Sequence, residues 1–305
     1  MNINLIKVFI YQVLLYLLVL MHIKEAKNKL KNGLYIVSTP IGNLGDITIR
    51  ALEVLERSNV ILCEDTRVSK KILTKFKISS KLIAYHKFNE NKNLQKIISI
   101  LKTNNIVAMI SDAGTPTISD PGKILINECV KNKINIFPIP GASAPSAAIS
   151  ISGFSDKYYF HGFLPEKKNE IIKDLKFLSK INSSLIFFIS AKKLNRLVEP
   201  FIFYLCDRDM VICKEITKMY EEYFRFPVKD LNRFNTNIKG EITLVVSQKI
   251  NNVNNIEILS ESDKVKIKNL IYKLSVKDIV SLICDGKNIS KKIIYDYCIR
   301  LKNEN

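Results

Sequence analysis

The chain has no tryptophan, three histidines (His22, His86 and His161), ten glycines and nine prolines in 305 residues. Histidines so few and so scattered make no zinc-ligand spacing. The six cysteines, Cys63, Cys129, Cys206, Cys213, Cys284 and Cys298, contain no C-x-x-C pair. No metal is therefore expected. A chain of this length needs no disulfide framework, so buried free thiols and a reducing, cytoplasmic setting are expected. Acidic residues are scarce too: 29 Asp and Glu against 47 Lys and Arg leave a formal charge of +18. That excludes an acidic chaperone and favours a polyanionic partner. Part of this basicity is background, because Lys, Asn and Ile are abundant together. Apolar residues are not scarce. At 47% hydrophobic the chain is no disordered tail, and it suffices for two modest cores plus an appendage.

Long apolar runs are absent except near the start. Residues 8–23 read VFIYQVLLYLLVLMHI and lead into the basic stretch 24–31. The run falls short of the roughly 20 residues of a membrane span, carries Gln12, and precedes no small-residue cleavage site. Three readings stay open: a membrane anchor, a core helix, or an extension ahead of a true start at Met21. The extension is preferred, so residues 1–32 are set apart and membrane contact through 8–23 is not favoured.

From Leu34 the pattern alternates. Short apolar runs at 34–38, 60–63, 81–85, 106–110 and 134–138 read as buried strands. Stretches at helical spacing lie between and after them. The first has Asp46 as its cap and runs to Arg57; the others cover 69–76, 91–102, 122–132 and 143–152. Repeated βαβ predicts an α/β fold with a mostly parallel, doubly covered sheet over 33–147. A hinge at 146–155 then leads into a second α/β domain, 148–250. Its strands are expected at 158–163, 184–189, 210–216 and 241–247, with helices at 169–180 and 192–205. The polar linker 251–255 precedes a helix–turn–helix-like module, 260–305. There Ser275 with Asp278 makes a capping-box-like start, residues 285–288 turn the chain, and Ser290 caps a last helix. Its expected core is Ile279, Leu282, Ile283, Ile293, Ile294 and Tyr297. Lys287, Lys291, Lys292, Arg300 and Lys302 form either a solvated face or a grip on phosphates.

The unusual residues of the first half all follow its strands. The loops read STPIGNLG (38–45), EDTR (64–67), HKFNE (86–90), SDAGTP running on to SDPG (111–122), and PIPGAS (138–143). Ligands of open α/β sheets bind outside the carboxyl ends of the strands, so these five loops are expected on one cleft. The first has G-x-x-G at Gly42 and Gly45, not G-x-G-x-x-G, and no G-x-x-x-x-G-K-[ST] occurs, which excludes a P-loop hydrolase. Glu64 and Asp65, about 20 residues on, keep a dinucleotide enzyme open as a weaker reading. Asp112 beside Ala113 and Gly114 suits recognition of hydroxyls or an ammonium, as in an adenosine-containing, amino-acid-like cofactor.

Taken in order, LYIVSTPIGNLGDITIRALEVL, EDTRVSKKIL, SDAGTPTISDPG, PIPGASAPSAAIS, FHGFLPEKK, KEITKMYEE and KGEITLVV resemble the ribosomal RNA small subunit methyltransferase I family of the tetrapyrrole-methylase-like superfamily. The resemblance spans residues 34 to about 248. It implies two α/β domains with S-adenosylmethionine held in the cleft between them. The implied activity is 2′-O-methylation of a cytidine in the decoding region of 16S rRNA, on the small ribosomal subunit, by a homodimer. The cofactor cleft would be formed by Pro40, Gly42, Asp112, Ala113, Gly114, Thr115, Pro116, Gly141 and Ser143. Lys239-Gly240-Glu241 would turn the chain nearby. The sequence departs from the family's pattern at Ser38, at Phe88 and Lys192, where histidines are usual, and at Ile189, where a carboxylate is usual.

Methyl transfer from a sulfonium needs alignment and a place for the hydroxyl proton. Asp65, Glu64 and Glu215 are the candidate acceptors. Lys218 could steady developing charge, and Arg67, Lys70, Lys71, Lys167 and Lys168 are candidates for RNA contact. Ion pairing between strands is the competing reading for each. A tetrapyrrole methyltransferase and an inactive rRNA-binding assembly factor are the alternatives.

Overall fold

The computed structural model describes residues 30–234, 238–249, 259, 261–284 and 291–303. The expectations for 8–23, 251–255, 285–288 and Ser290 lie outside the described residues. One compact unit ends at Lys249 and contains both sheets; a second carries the C-terminal helices.

The first sheet is wholly parallel, in the order β3-β2-β4-β1-β5, from β1 (Gly33–Val37), β2 (Val60–Cys63), β3 (Lys81–Ala84), β4 (Ile106–Met109) and β5 (Ile136–Ile139). Its central strands are continuous apolar runs rather than alternating ones because both faces are covered. Helices α1 (Ile49–Arg57) and α2 (Thr66–Lys75) bury Ala51, Val54, Leu55 and Leu73 on one face. Helices α3 (Glu90–Lys102) and α4 (Lys123–Lys131) bury Ile97, Leu101, Leu125 and Cys129 on the other. The cap of α1 is Thr48, whose Oγ1 accepts from Ala51 N at 3.1 Å, and not Asp46, which ends a separate 3-10 turn, Leu44–Asp46. Two residues separate these candidates, and the one with a free amide in reach takes the role.

From β1 the chain moves two places toward β3. From β4 it moves two places the other way, to β5. Adjacent strands whose exits diverge open a crevice between their carboxyl ends. That crevice lies between β1 and β4.

Helix α5 (Ala144–Ser150) runs through part of the expected hinge, so the irregular link is confined to 151–157. The second sheet is mixed, in the order β6-β7-β10-β8-β9, from β6 (Tyr158–Phe163), β7 (Ser184–Ser190), β8 (Asp209–Lys214), β9 (Glu222–Pro227) and β10 (Glu241–Val246). Only β6 and β7 run parallel. Strand β9 was not expected. Strand β8 stops at Lys214, so residues 215 and 216, expected to end the strand, belong instead to a turn over 215–218. Helices α6 (Lys168–Leu178) and α7 (Ala191–Leu205) seal one face of this sheet over Leu175, Leu194 and Phe201, and α5 lays Ala148 on the other.

The second unit holds α8 (Glu261–Leu270), α9 (Val276–Cys284) and α10 (Lys291–Asn303). The sequence did not signal α8. Ser275 caps α9 as expected, its hydroxyl accepting from Asp278 N at 3.2 Å. Leu282 is 58% exposed and so is not part of the core, which Ile279, Ile283, Ile294 and Cys298 form. The six cysteines are thiols in no disulfide, but Cys206 is exposed and Cys284 half-buried rather than buried. Among the described residues no helix is long and apolar enough to cross a membrane, and no cluster of His, Cys, Asp and Glu could hold a metal ion.

Candidate functional site

A cleft of about 450 Å³ opens at the carboxyl edge of the first sheet, walled on its far side by the second. Three of the five loops line it. Ile41 comes from the loop after β1, Asp112 to Thr115 and Asp120 from the loop after β4, and Ser143 from the loop after β5. They are stitched together before any ligand arrives. Thr39 and Gly114 exchange backbone hydrogen bonds of 2.8 and 3.1 Å. Ser38 Oγ and Thr115 Oγ1 lie 2.9 Å apart, and Thr115 Oγ1 donates to Ala142 O at 3.2 Å. Such cross-bonding fixes loop positions in advance, which spares a ligand the entropy of ordering them.

The loop after β2 reaches the cleft only through Asp112, whose Oδ1 accepts from Asp65 N at 3.2 Å. The loop after β3 does not line it. Its Glu90 is buried and accepts from Gly122 N at 2.8 Å, so it braces the long loop after β4 from behind. The expectation that five loops face one ligand is corrected to three, with two supporting.

The second sheet supplies Phe163, Ile189, Cys213, Lys218 and Glu241, among others. The two halves touch closely at Gly42. A Cβ there would lie 2.4 Å from Lys218 Cγ and 2.8 Å from Thr217 Oγ1, while Asn43 N donates to Thr217 Oγ1 at 3.1 Å. Gly240, at φ +104°, likewise leaves no room for a side chain, because Glu215 Cδ would sit 2.7 Å from its Cβ. Glycine is required at both places by the close approach.

Among the described residues, seven that are not glycine have positive φ. Lys77, Asn104 and Lys133 each follow a helix end, where the left-handed conformation is common. The other four, Thr117, Ser119, Glu215 and Thr217, occupy the loop after β4 and the turn after β8. Strain of this kind, ~1–3 kcal/mol per residue, persists where surrounding contacts over-determine it, and it gathers at functional sites.

The charged groups divide sharply. Asp65 caps α2 and is gripped by Arg67, 2.7 Å from Oδ2, which holds its carboxyl down to about 2. It is a poor proton acceptor. Glu215 is held below the usual range by the Glu241 amide, 2.8 Å away, and by Lys218 at 3.1 Å. Burial works against the Lys218 ammonium, but Glu241 (2.9 Å) and Glu215 outweigh it and lift its pKa. Glu64 is pushed up by burial and by the charge of Asp112, although it does not line the cleft. Asp120 does line it, and burial with Glu64 nearby raises its carboxyl to about 6 despite Ser111. Burial also drives Cys213 up to about 12, so the thiol there is no nucleophile.

Of the residues expected for a cofactor, Asp112, Ala113, Gly114, Thr115 and Ser143 line the cleft. Pro40 and Gly42 flank Ile41, Pro116 follows Thr115, and Gly141 packs on Ser38, where a Cβ would come within 2.9 Å. Lys218 lines the cleft and Glu215 stands behind it. Arg67, Lys70 and Lys71 lie exposed on α2, and Lys167 and Lys168 lie exposed at the start of α6, none of them on the cleft wall. Asp120 was overlooked as a site residue although it sits inside the SDAGTPTISDPG stretch; its distance from the strand hid it. Ile189 is 4% exposed and pairs with Ile242, so the departure at this position places an apolar side chain on the cleft wall. Phe88 is 93% exposed and plays no part in the cleft.

The family model for tetrapyrrole (corrin/porphyrin) methylases matches residues 33–232. The ribosomal RNA small subunit methyltransferase I of Mesomycoplasma conjunctivae is 48% identical over 217 residues, covering 70% of this chain and 90% of that protein. The Rickettsia prowazekii protein of the same name is 41% identical over 281 residues, covering 87% and 96%. Among solved structures, diphthine synthase superposes with a TM-score of 0.54 at 14% identity, covering 70% of this chain and 89% of that one. Uroporphyrin-III C-methyltransferase of Thermus thermophilus, complexed with S-adenyl homocysteine, gives 0.52 at 11%, covering 70% and 97%. These structural likenesses speak to the fold alone, whereas the sequence relatives align along most of both chains. The chain therefore belongs to the ribosomal RNA small subunit methyltransferase I family, within the tetrapyrrole methylases.

Proposed function

We propose that the protein transfers a methyl group from S-adenosylmethionine to a ribose 2′-hydroxyl of a cytidine in the decoding region of small-subunit rRNA. The observation that carries this reading is the pre-stitched cleft at the β1/β4 crevice, in a chain so similar to proteins named for that RNA. The residues suit the cofactor. The volume falls within the range of small-molecule sites. Asp112 offers a carboxylate for hydroxyls or an ammonium, and Gly114 and Gly141 let the loops close on Ile41 and Ser38, where a Cβ would come within 3.2 and 2.9 Å. Ala113, Thr115 and Ser143 complete the wall, with Pro40, Gly42 and Pro116 setting the loop shape. When bound, the cofactor supplies an activated methyl on a positively charged sulfur.

The chain must position the RNA and take up the hydroxyl proton. Asp120 is the acceptor this reading prefers over Asp65, Glu64 and Glu215. It faces the cleft, and a group titrating near 6 is ionised at neutral pH yet still basic enough to serve. Lys218, held between two carboxylates, offers a fixed positive charge to the developing alkoxide. Arg67, Lys70, Lys71, Lys167 and Lys168 are assigned to phosphates, and a homodimer in the cytoplasm completes the reading.

The test is incubation of labelled S-adenosylmethionine with small ribosomal subunits from cells lacking the gene, followed by mapping of 2′-O-methyl groups. One new mark on a decoding-region cytidine is expected. Transfer to a porphyrinoid instead, or binding of subunits with no transfer at all, overturns the proposal in favour of a tetrapyrrole enzyme or an assembly factor.

A further inference from the structure

Phe163 ends β6 at the mouth of the cleft, and 62% of its surface is exposed. Its ring lies 5.3 Å from that of Phe188, which in turn makes an edge contact with Phe160 at 5.1 Å. One side of Phe163 is thus backed by aromatic packing while the other is open. Strands β6 and β7 run parallel, so their carboxyl ends lie side by side, with Phe163 paired to Phe188. Each leads directly into cations: Lys167 and Lys168 after β6, and Lys192, Lys193 and Arg196 in the opening turns of α7. Glu166 joins the two groups. Its carboxylate binds Lys193 and, at 2.9 Å, Arg196, pinning the loop after β6 onto α7. Five cations against two acids, Glu166 between the groups and Glu170 3.6 Å from Lys167, beside an open ring, match the chemistry that holds unpaired nucleic acid: a π-face for a base and positive charge for the flanking phosphates.

Resting on the methyl-transfer reading, we infer that Phe163 is the platform on which the base of the target nucleotide stacks once it has left its neighbours, with Lys192, Lys193, Arg196, Lys167 and Lys168 gripping the adjoining phosphates. A ribose 2′-hydroxyl inside a stacked helix is hard to bring in line with a methyl donor, so extruding the nucleotide costs unstacking energy that Phe163 recovers. A second copy of the chain is the other occupant an exposed ring could have. The surrounding charge argues against it, because two such patches repel.

The experiment uses the full-length protein and a short single-stranded RNA carrying a fluorescent cytidine analogue. Binding quenches the analogue in the wild type and in Phe163→Trp. In Phe163→Ala the quench is lost and affinity falls roughly 5- to 150-fold, the span of a base–aromatic stack. On small ribosomal subunits the same variant raises KM by a like factor, while S-adenosylmethionine affinity by calorimetry stays unchanged. Lys192→Glu flattens the slope of log affinity against log salt by ~0.7 or more. Because Phe163 is exposed, the Ala variant is expected to melt with the wild type. An unchanged KM and quench in Phe163→Ala overturns the inference alone. Loss of cofactor affinity, or a shift in oligomeric state by sedimentation, overturns it by assigning the ring to the cofactor or to a second copy. A wild type that transfers no methyl to subunit RNA defeats the underlying reading first, and is seen without any variant.

Discussion

The two sheets have five strands each and share one cleft, yet they build it differently. In the parallel sheet every strand ends at the same edge, so its contribution comes from residues that follow strands, such as Asp112, Asp120 and Ser143. In the mixed sheet β10 runs against β7 and β8, so Glu241 at its start lies level with Ser190 at the end of β7. The charges differ as well. Near the parallel sheet, Asp120 and Glu64 have raised carboxyls and no cation bound to them among the described residues. On the mixed sheet, Lys218 is shared by Glu215 and Glu241, so each of these groups has an ion-pair partner. The first arrangement is unstable in charge and suits proton transfer. The second is internally satisfied and suits holding shape.

Asp120→Asn strikes that contrast hardest. If the parallel side carries the chemistry, methyl transfer falls by ~10²- to 10⁴-fold in kcat. The sign of the pH dependence follows from a carboxyl at about 6. Below that value the group is protonated and cannot accept, so the wild-type rate rises through pH 6, and the variant loses this limb. An equal loss in Glu215→Gln with Asp120→Asn near wild type would reverse the roles of the two sheets.

Arg208→Met is the counterpart on the mixed side. Arg208 is 1% exposed and its guanidinium donates to five carbonyls, those of Leu178, Ser179, Ile181, Ser183 and Ser247, at 2.6 to 3.4 Å. These lie at the edge of the sheet away from the cleft. Removing the donor leaves several buried acceptors unmet, and denaturant unfolding is expected to show a loss of about 3 kcal/mol. Cofactor affinity measured well below the melting range should be unaltered. A parallel loss of affinity would mean that this edge shapes the cleft after all.

What could be read beforehand follows the same division. The parallel half was legible because Gly and Pro gather in loops after buried apolar runs, which places Asp112 and Gly114 by rule. Glu241 opens its strand instead of following one, so the rule passed it over and only the family likeness drew attention to its turn. Strand β9 escaped notice because it is an edge strand carrying Glu222, Arg225 and a terminal Pro227, residues that weaken a strand signal but are tolerated where one side is unpaired. The start of the turn at 215–218 reads as strand because its left-handed residues are Glu215 and Thr217, not glycines. Positive φ at such residues is set by tertiary contacts and leaves no local trace. Asp65 and Glu215 looked like bases because sequence does not show which neighbour bonds a carboxylate: Arg67 disarms Asp65, and the distant Glu241 amide with nearby Lys218 disarms Glu215.

The join between the halves can be loosened at Gly42→Ala. The Lys218 stem can yield to the new methyl group, but Thr217 Oγ1 cannot without giving up its bond from Asn43 N. The join must open by up to about 1 Å to admit the methyl group, which is expected to weaken S-adenosylmethionine binding by ~10-fold, about 1.4 kcal/mol, and to lower the melting temperature. Unaltered affinity would show that the two walls act independently.

The smallest effect is expected at Thr117→Gly, and it separates strain from sequence accident. Thr117 holds φ +71° in the loop after β4, a conformation unfavourable for a β-branched side chain. Glycine relieves that cost but gains freedom in the unfolded chain, so the net stabilisation is no more than ~0.5–1 kcal/mol. If the strain keeps the Asp112–Asp120 loop in its binding shape, cofactor affinity drops several-fold in the same variant that melts later. Stability and affinity rising together would sink that account, because strain whose release improves both has no part in pre-shaping the parallel side of the cleft.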